Sequence, residues 1–343
     1  MSSFFQSVWR QHQKTLGIAT LLLLIFLGTG AANPAFWSSA SLLENAQYAG
    51  LYGIIAVGAA VVMATGGIDL ATGSIIALSA VIVPKAVVAG LKLEVGDYVL
   101  LAEPMPVGSA ILLVVALGGL IGLFHGLLIT KLSLQPFLVT LCGMFLYRSV
   151  ARWVARDDSW GFGTGFTDLK FLANGTWLGV PMPLWILLLL AAVVSVLLHR
   201  TPFGRHLLAL GRNESAATFS GIRTDRVKIV AYVLCGMIAA FGGFMFALKI
   251  NSVLASNFGN GYELFAIAGA VLGGTSLRGG ECSMAGVVLG AALVQTAQKA
   301  VLTLGVKDEW KYFVVGAIIL LGVIVDELLR RNAARRRARE RAV

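Results

Sequence analysis

The chain has 343 residues, of which 57% are hydrophobic and 13% charged, with a mean hydropathy of +0.83 and a formal net charge of +10. Soluble domains run at roughly 45–50% apolar and about 25% charged, so a water-soluble enzyme, a disordered chain and a secreted disulfide scaffold are all disfavoured. What remains is an all-α polytopic membrane protein; ten spans of about 20 residues would occupy ~200 positions and leave little for a second, soluble domain.

Long apolar runs between charges and Pro or Gly breaks predict spans at 16–32, 46–65, 74–91, 107–130, 137–154, 183–199, 228–249, 262–277, 284–304 and 312–329. The first run follows Arg10 and Lys14 and ends in Gly30, Ala31 and Ala32, a pattern shared with signal peptides. We read it as a retained first span. Ten spans place both termini on one side. The segments assigned to that side hold 17 of the 27 lysines and arginines, including seven arginines from Arg330 to Arg341. The opposite side carries Glu94, Asp97 and Glu103 in one loop and Asp157, Asp158 and Asp168 in another. Basic residues accumulate on the cytoplasmic side, so the tails 1–15 and 330–343 and the loop 200–227 are expected there. The arginine tail suits anionic lipid headgroups. It has no aromatic interleaving, and nucleic acid is not an expected partner.

The first departure from plain apolar sequence is Thr65-Gly66-Gly67-Ile68-Asp69-Leu70-Ala71-Thr72-Gly73-Ser74. Paired glycines loosen a helix, and the freed backbone groups must then face protein or a watery cavity. A carboxylate at membrane depth costs about 2.5–3.5 kcal/mol by insertion scales, so Asp69 is expected to cap the next helix, near Thr72 and Gly73, or to face a pathway. In the span 107–130 Gly118, Gly122 and Gly126 recur every four residues, a spacing for close helix packing. Arg148, Arg152 and Arg156 share one helical face; the last two are expected to snorkel, the first to need a protein partner.

The loop 200–227 contains Gly204, Arg205, Asn213, Glu214, Ser215, Ala216 and Gly221. Asn213 can cap a short helix with Glu214 in its first turn, and Gly221 can end it. A second Gly-rich break follows at 272–280, with Gly273, Gly274, Thr275, Ser276, Arg278, Gly279 and Gly280. It resembles the first break in composition, which predicts discontinuous segments near 65–74 and 272–280. Gly286 and Gly290 repeat the packing spacing. Cys142, Cys235 and Cys282 have no disulfide or metal-ligand spacing, and no phosphate loop of the form G-x-x-x-x-G-K-[ST] occurs.

The stretches GGIDLATGS (66–74), TPFGRHLLALGRNESAATFSGI (201–222) and GYELFAIAGAVLGGTSLRGG (261–280) resemble the permease subunits of bacterial sugar importers, the ribose-type branch of the ABC transporters. The likeness runs from the first span to the last. It implies a single transmembrane permease domain over 1–343 in the bacterial inner membrane. It also implies a second permease copy or paralogue, an ATPase subunit on the cytoplasmic face and a periplasmic sugar-binding protein outside. The chain itself would bind no cofactor, ATP and Mg residing on the ATPase partners. By position, Gly204, Arg205, Asn213, Glu214, Ser215, Ala216 and Gly221 fall in the region that couples to the ATPase. Thr65, Gly66, Gly67, Asp69, Ser74, Gly273, Gly274, Thr275 and Ser276 are assigned to the substrate pathway. Two departures are visible: Glu214-Ser215-Ala216 stands where relatives tend to carry Glu-Ala-Ala, and GIDLATGS where they carry GIDLSxGS. The expected activity is import of a ribose-like monosaccharide, without covalent chemistry. The rival readings are an amino-acid permease of the same superfamily, an ion-coupled transporter using Asp69 or Lys85, and a polytopic enzyme, for which no nucleophile–base pair is seen.

Overall fold

A computed structural model of the chain describes residues 2–95, 98–305 and, beyond these, 307, 310, 313, 316, 317, 320 and 324. Of the predicted tenth span, 312–329, only residues 313, 316, 317, 320 and 324 are described, all of them helical, and the 330–343 tail lies outside the described residues. Twelve helices are described: α1 (Ser2–Ala32), α2 (Ser39–Met63), α3 (Thr72–Val88), α4 (Val107–Lys131), α5 (Pro136–Ala155), α6 (Thr167–Asn174), α7 (Met182–Arg200), α8 (Pro202–Arg212), α9 (Glu214–Phe219), α10 (Thr224–Ile250), α11 (Tyr262–Leu272) and α12 (Met284–Thr303). Three antiparallel two-stranded pairs join them: β1 (Leu91–Val95) with β2 (Tyr98–Ala102), β3 (Ser159–Trp160) with β6 (Val253–Leu254), and β4 (Thr176–Trp177) with β5 (Val180–Pro181). Among the described residues, α2, α4, α5, α7, α10 and α12 are long and apolar enough to cross a membrane, while residues 17–32, α3 and α11 are shorter apolar helices.

The helix α2 is the central post. It is buried along most of its length and packs against α7, α10, α11 and α12. It begins at Ser39, seven residues before the predicted span. Ser38 caps it by accepting from the Ser41 amide at 3.3 Å. Its polar first turns are then matched by tertiary partners: Asn45 donates to Thr296 Oγ1 (3.1 Å), and Gln47 to the Asn174 carbonyl (3.2 Å). The periodic glycines of α4 act as read from sequence. A Cβ on Gly118 would lie 2.3 Å from the Gly236 carbonyl oxygen, and one on Gly122 would lie 2.1 Å from that of Tyr232, so α4 and α10 touch backbone to backbone.

Two helices stop short of a full crossing. With 17 and 11 residues, α3 and α11 rise only about 25 and 16 Å, against roughly 30 Å of hydrocarbon. The chain beside them runs through the non-helical segments 64–71, 251–261, which includes β6, and 273–283. The predicted span 262–277 is therefore helical only to Leu272. Irregular backbone survives there because it is enclosed by protein. Ala64 and Ala71 are fully buried, the Ile68 carbonyl accepts from Thr140, and the carbonyls of Ala255 and Phe258 accept from Arg148. Asn251 pins the start of the 251–261 segment, accepting from the Phe162 amide (2.8 Å) and donating to the Gly163 carbonyl (2.9 Å).

Candidate functional site: two interrupted helices and a two-helix loop

Asp69 is 4% exposed. Its Oδ1 accepts from the Ala71 amide at 2.8 Å, immediately before the first residue of α3. Asp69 thus braces the turn that leads into α3, whose own N-cap, Ala71, carries no side-chain cap bond. A polar cluster gathers around it, from helices distant in sequence. Thr72 Oγ1 lies 4.0 Å from Cys235 Sγ, and Tyr147 Oη lies 3.0 Å from His125 Nε2, with His125 within electrostatic reach of Asp69. The rings of His125 and Tyr232 sit edge to face, and Gly67 leaves room for the Tyr232 hydroxyl, which would lie 2.5 Å from a Cβ there. Tyr232 Oη and His125 Nδ1 are buried without a protein hydrogen-bond partner. His125, Asp69, Tyr147 and Tyr232 are far apart in sequence, and only the fold brings them together.

The other residues that the sequence assigned to a pathway bond largely to nearby backbone. Thr65 Oγ1 donates to the Val62 carbonyl (2.7 Å), Ser74 Oγ donates to that of Met144 (2.7 Å), and the Ser276 amide donates to the Glu281 carbonyl (3.0 Å). Thr275 and Ser276 are each 3% exposed, and Thr275 Oγ1 lies 3.5 Å from Cys282 Sγ. Gly66 and Gly274 both take a φ of +85°, a left-handed conformation that glycine adopts at no steric cost. Gly273 packs against Gly286, where a Cβ would lie 2.6 Å from backbone. The two breaks do meet, at residues 64–67 and 278–280: the Gly280 amide donates to the Ala64 carbonyl at 2.9 Å.

Glu263 is a second buried carboxylate, 9% exposed in the first turn of α11, where the helix dipole favours an anion. Arg148, half-buried, reaches across to the 251–261 segment, as a protein partner for it was expected. Arg152 instead forms a two-point pair with Asp157, at 2.8 and 2.9 Å, rather than extending alone toward headgroups. Lys85 donates to the Val154 carbonyl and sits 5.0 Å over the Trp160 ring, a packing role at the end of α3.

The loop 200–227 folds as α8, α9 and the first turn of α10, and α8 and α9 each carry a local start signal. Thr201 accepts from the Gly204 amide (3.3 Å) to start α8, with Pro202 at its first position. Asn213 accepts from the Ala216 amide (2.9 Å) to start α9, and Gly221, at φ +83°, ends it with the Gly221 and Ile222 amides donating to Thr218 and Ala217. Glu214, Ser215 and Ala216 are exposed, whereas Ala217 faces inward. The Glu214 carboxylate is paired with Lys228 at 2.6 Å. Arg205, Arg212, Asn213, Ala216 and Ser220 line a groove of about 500 Å³ between the two helices. Phe219, which sequence reasoning passed over, projects from the end of α9 at 92% exposure.

This architecture of apolar helices, two of them interrupted, with a short basic two-helix loop, is that of a membrane permease. The family described as "Branched-chain amino acid transport system / permease component" matches residues 41–323. The chain belongs to this family of transport-system permease components, and its part is a non-catalytic membrane subunit of ABC importers. The ribose import permease protein RbsC of Escherichia coli K12 is 35% identical over 94% of this chain and 96% of its own length. RbsC of Bacillus subtilis 168 is 35% identical over 94% of both chains. The galactose/methyl galactoside import permease protein MglC of E. coli K12 is 32% identical over 96% of this chain and 98% of its own. No solved structure matches.

Proposed function

We propose that the chain is the permease subunit through which a ribose-like monosaccharide enters the cytoplasm, driven by ATP hydrolysed on partner subunits. The observation that carries this reading is the near full-length similarity to import permeases for ribose and galactose. Relatives named for autoinducer 2 and L-arabinose import support the carbohydrate class over the amino-acid alternative. In this reading 1–343 is one transmembrane domain with both ends cytoplasmic. A second permease copy or a paralogue completes the path, and a periplasmic binding protein delivers the sugar.

The ATPase would dock on α9, with Gly204, Arg205, Asn213, Glu214, Ser215, Ala216 and Gly221 shaping the dock. A six-residue helix rises only about 9 Å, which suits a groove on a partner. The breaks at Thr65–Ser74 and Gly273–Ser276 would shape the path. Because their hydroxyls are hydrogen-bonded within the chain, they would act through backbone position, with sugar selectivity residing in the binding protein. Nucleotide can drive the cycle only by favouring one permease conformation over another. The test is to reconstitute the permease with its ATPase and binding protein and to screen ribose, galactose, arabinose and branched-chain amino acids for stimulated ATP hydrolysis. Stimulation by ribose or another sugar is expected; stimulation by leucine alone would overturn the sugar reading.

A further inference from the structure

Three chain segments distant in sequence meet at one point with no side chain between them. Gly211, in the last turn of α8, lies where a Cβ would stand 2.0 Å from the Ala64 carbonyl oxygen and 2.3 Å from the Gly280 amide nitrogen. Gly279, at φ +85°, faces back: a Cβ there would be 2.8 Å from both the Gly211 carbonyl oxygen and the Gly66 amide nitrogen. Gly280, at φ +78°, would meet the Arg212 side chain at Cγ, 2.4 Å away, and the Arg212 backbone nitrogen at 2.9 Å. The Gly280-to-Ala64 hydrogen bond closes the joint. All the obstructing atoms of Gly211 are backbone, so no rotamer change could make room.

The position of this joint gives it meaning. Ala64 ends α2 and opens the segment that leads to Asp69 and α3; Gly279 and Gly280 lie between α11 and α12. Gly211 is two residues before Asn213, the cap of α9. A displacement of α9 therefore reaches both interrupted helices through the direct backbone contacts of Gly211 and Gly279. Interfaces packed this closely move as units and do not deform continuously.

We infer that Gly211 is a positioning residue for energy coupling: it keys the end of α8 into both helix breaks, so that movement of the ATPase dock and movement of the α2–α3 and α11–α12 connections are one motion. This rests on α9 being the ATPase dock, and the test separates the two. Thr65→Cys, partly accessible beside the joint, reports the motion in the full complex with the ATPase. Addition of a non-hydrolysable ATP analogue should change its maleimide labelling rate by about fivefold or more in the otherwise native chain. With Gly211→Ala added, ATPase retention should persist while the nucleotide response is lost. An unchanged response in a variant that retains the ATPase would overturn the inference. Failure of the unmodified chain to retain the ATPase would instead overturn the docking assignment. Should Gly211→Ala not accumulate, an Arg212→Cys, Glu281→Cys pair joined by a short bis-maleimide in a Cys142→Ser background decides. A rigid joint predicts that the cross-linked complex keeps its stimulated ATP hydrolysis. Abolition of that stimulation by the cross-link would show that the joint slides, and the inference would fall.

Discussion

Gly73, in the first turn of α3, and Gly259, three residues before α11, face each other at close range. A Cβ on either would lie 2.4 Å from the carbonyl oxygen of the other. Gly259 also takes φ +75°. Gly73→Ala is expected to lower stability by about 1–3 kcal/mol through overpacking. Gly259→Ala adds left-handed strain of about 1–2 kcal/mol to the same clash. Thermal unfolding in detergent is the measurement. Gly165→Ala, which meets nothing within 4 Å, serves as the comparison. A Gly73→Ala variant that melts with the unmodified chain would remove the contact from the account.

Asp69 accepts a hydrogen bond from the Ala71 amide. Asp69→Asn retains an acceptor at the same place and should keep most of the transport. Asp69→Leu leaves the amide unpaired, a loss of about 1–3 kcal/mol, and should lower both folded yield and uptake. Equal uptake by the leucine variant at normal protein level would show that the carboxylate neither caps nor lines a path.

Arg148 holds the carbonyls of Ala255 and Phe258, which line an irregular segment enclosed in protein. Arg148→Met strands both acceptors, at about 1–3 kcal/mol for each buried group. Arg152→Met removes only an exposed pair with Asp157, worth about 0–1 kcal/mol. The unfolding midpoints of the two variants should therefore separate clearly, with Arg148→Met the lower. Coincident midpoints would contradict the assignment.

Phe219 is the most exposed large apolar side chain on the proposed dock, and an aromatic in that position is the expected anchor of an interface. Phe219→Ser and Ala216→Trp should each weaken retention of the ATPase in a pull-down, the first by loss of the anchor and the second by bulk. Glu214→Lys should do so as well, because it also sets two cations together at the present Lys228 pair. Insertion and dimer formation should be unaffected. Native recovery of the ATPase with all three would move the dock elsewhere.

The orientation is tested by thiol labelling in intact cells. Cysteines at Ser2 and Asn332 should react only after lysis, and one at the exposed Thr164 should react from outside. Reaction of Ser2→Cys or Asn332→Cys in intact cells would reverse the topology.

Local chemistry determined a good deal by itself. Apolar runs of spanning length mark the helices because water-excluding segments must satisfy their own backbone, whatever they pack against. Asn213 and Gly221 mark the two ends of α9 because a cap and a left-handed stop act within a few residues of the chain. The four-residue glycine spacing of α4 announces a close helix neighbour. It could not name α10, because the partner's atoms come from another part of the sequence. The early start of α2 at Ser39, through polar Asn45 and Gln47, depended on hydrogen bonds to Thr296 and Asn174 that no local pattern contains. The same holds for His125 and Tyr232 beside Asp69, and for Glu263 opposite Gly73. It holds most strongly for Gly211, whose place in sequence is an ordinary helical turn. Only the tertiary structure brings Ala64 and Gly280 against it, since a contact of backbone with backbone leaves no trace in residue type beyond the absence of a side chain.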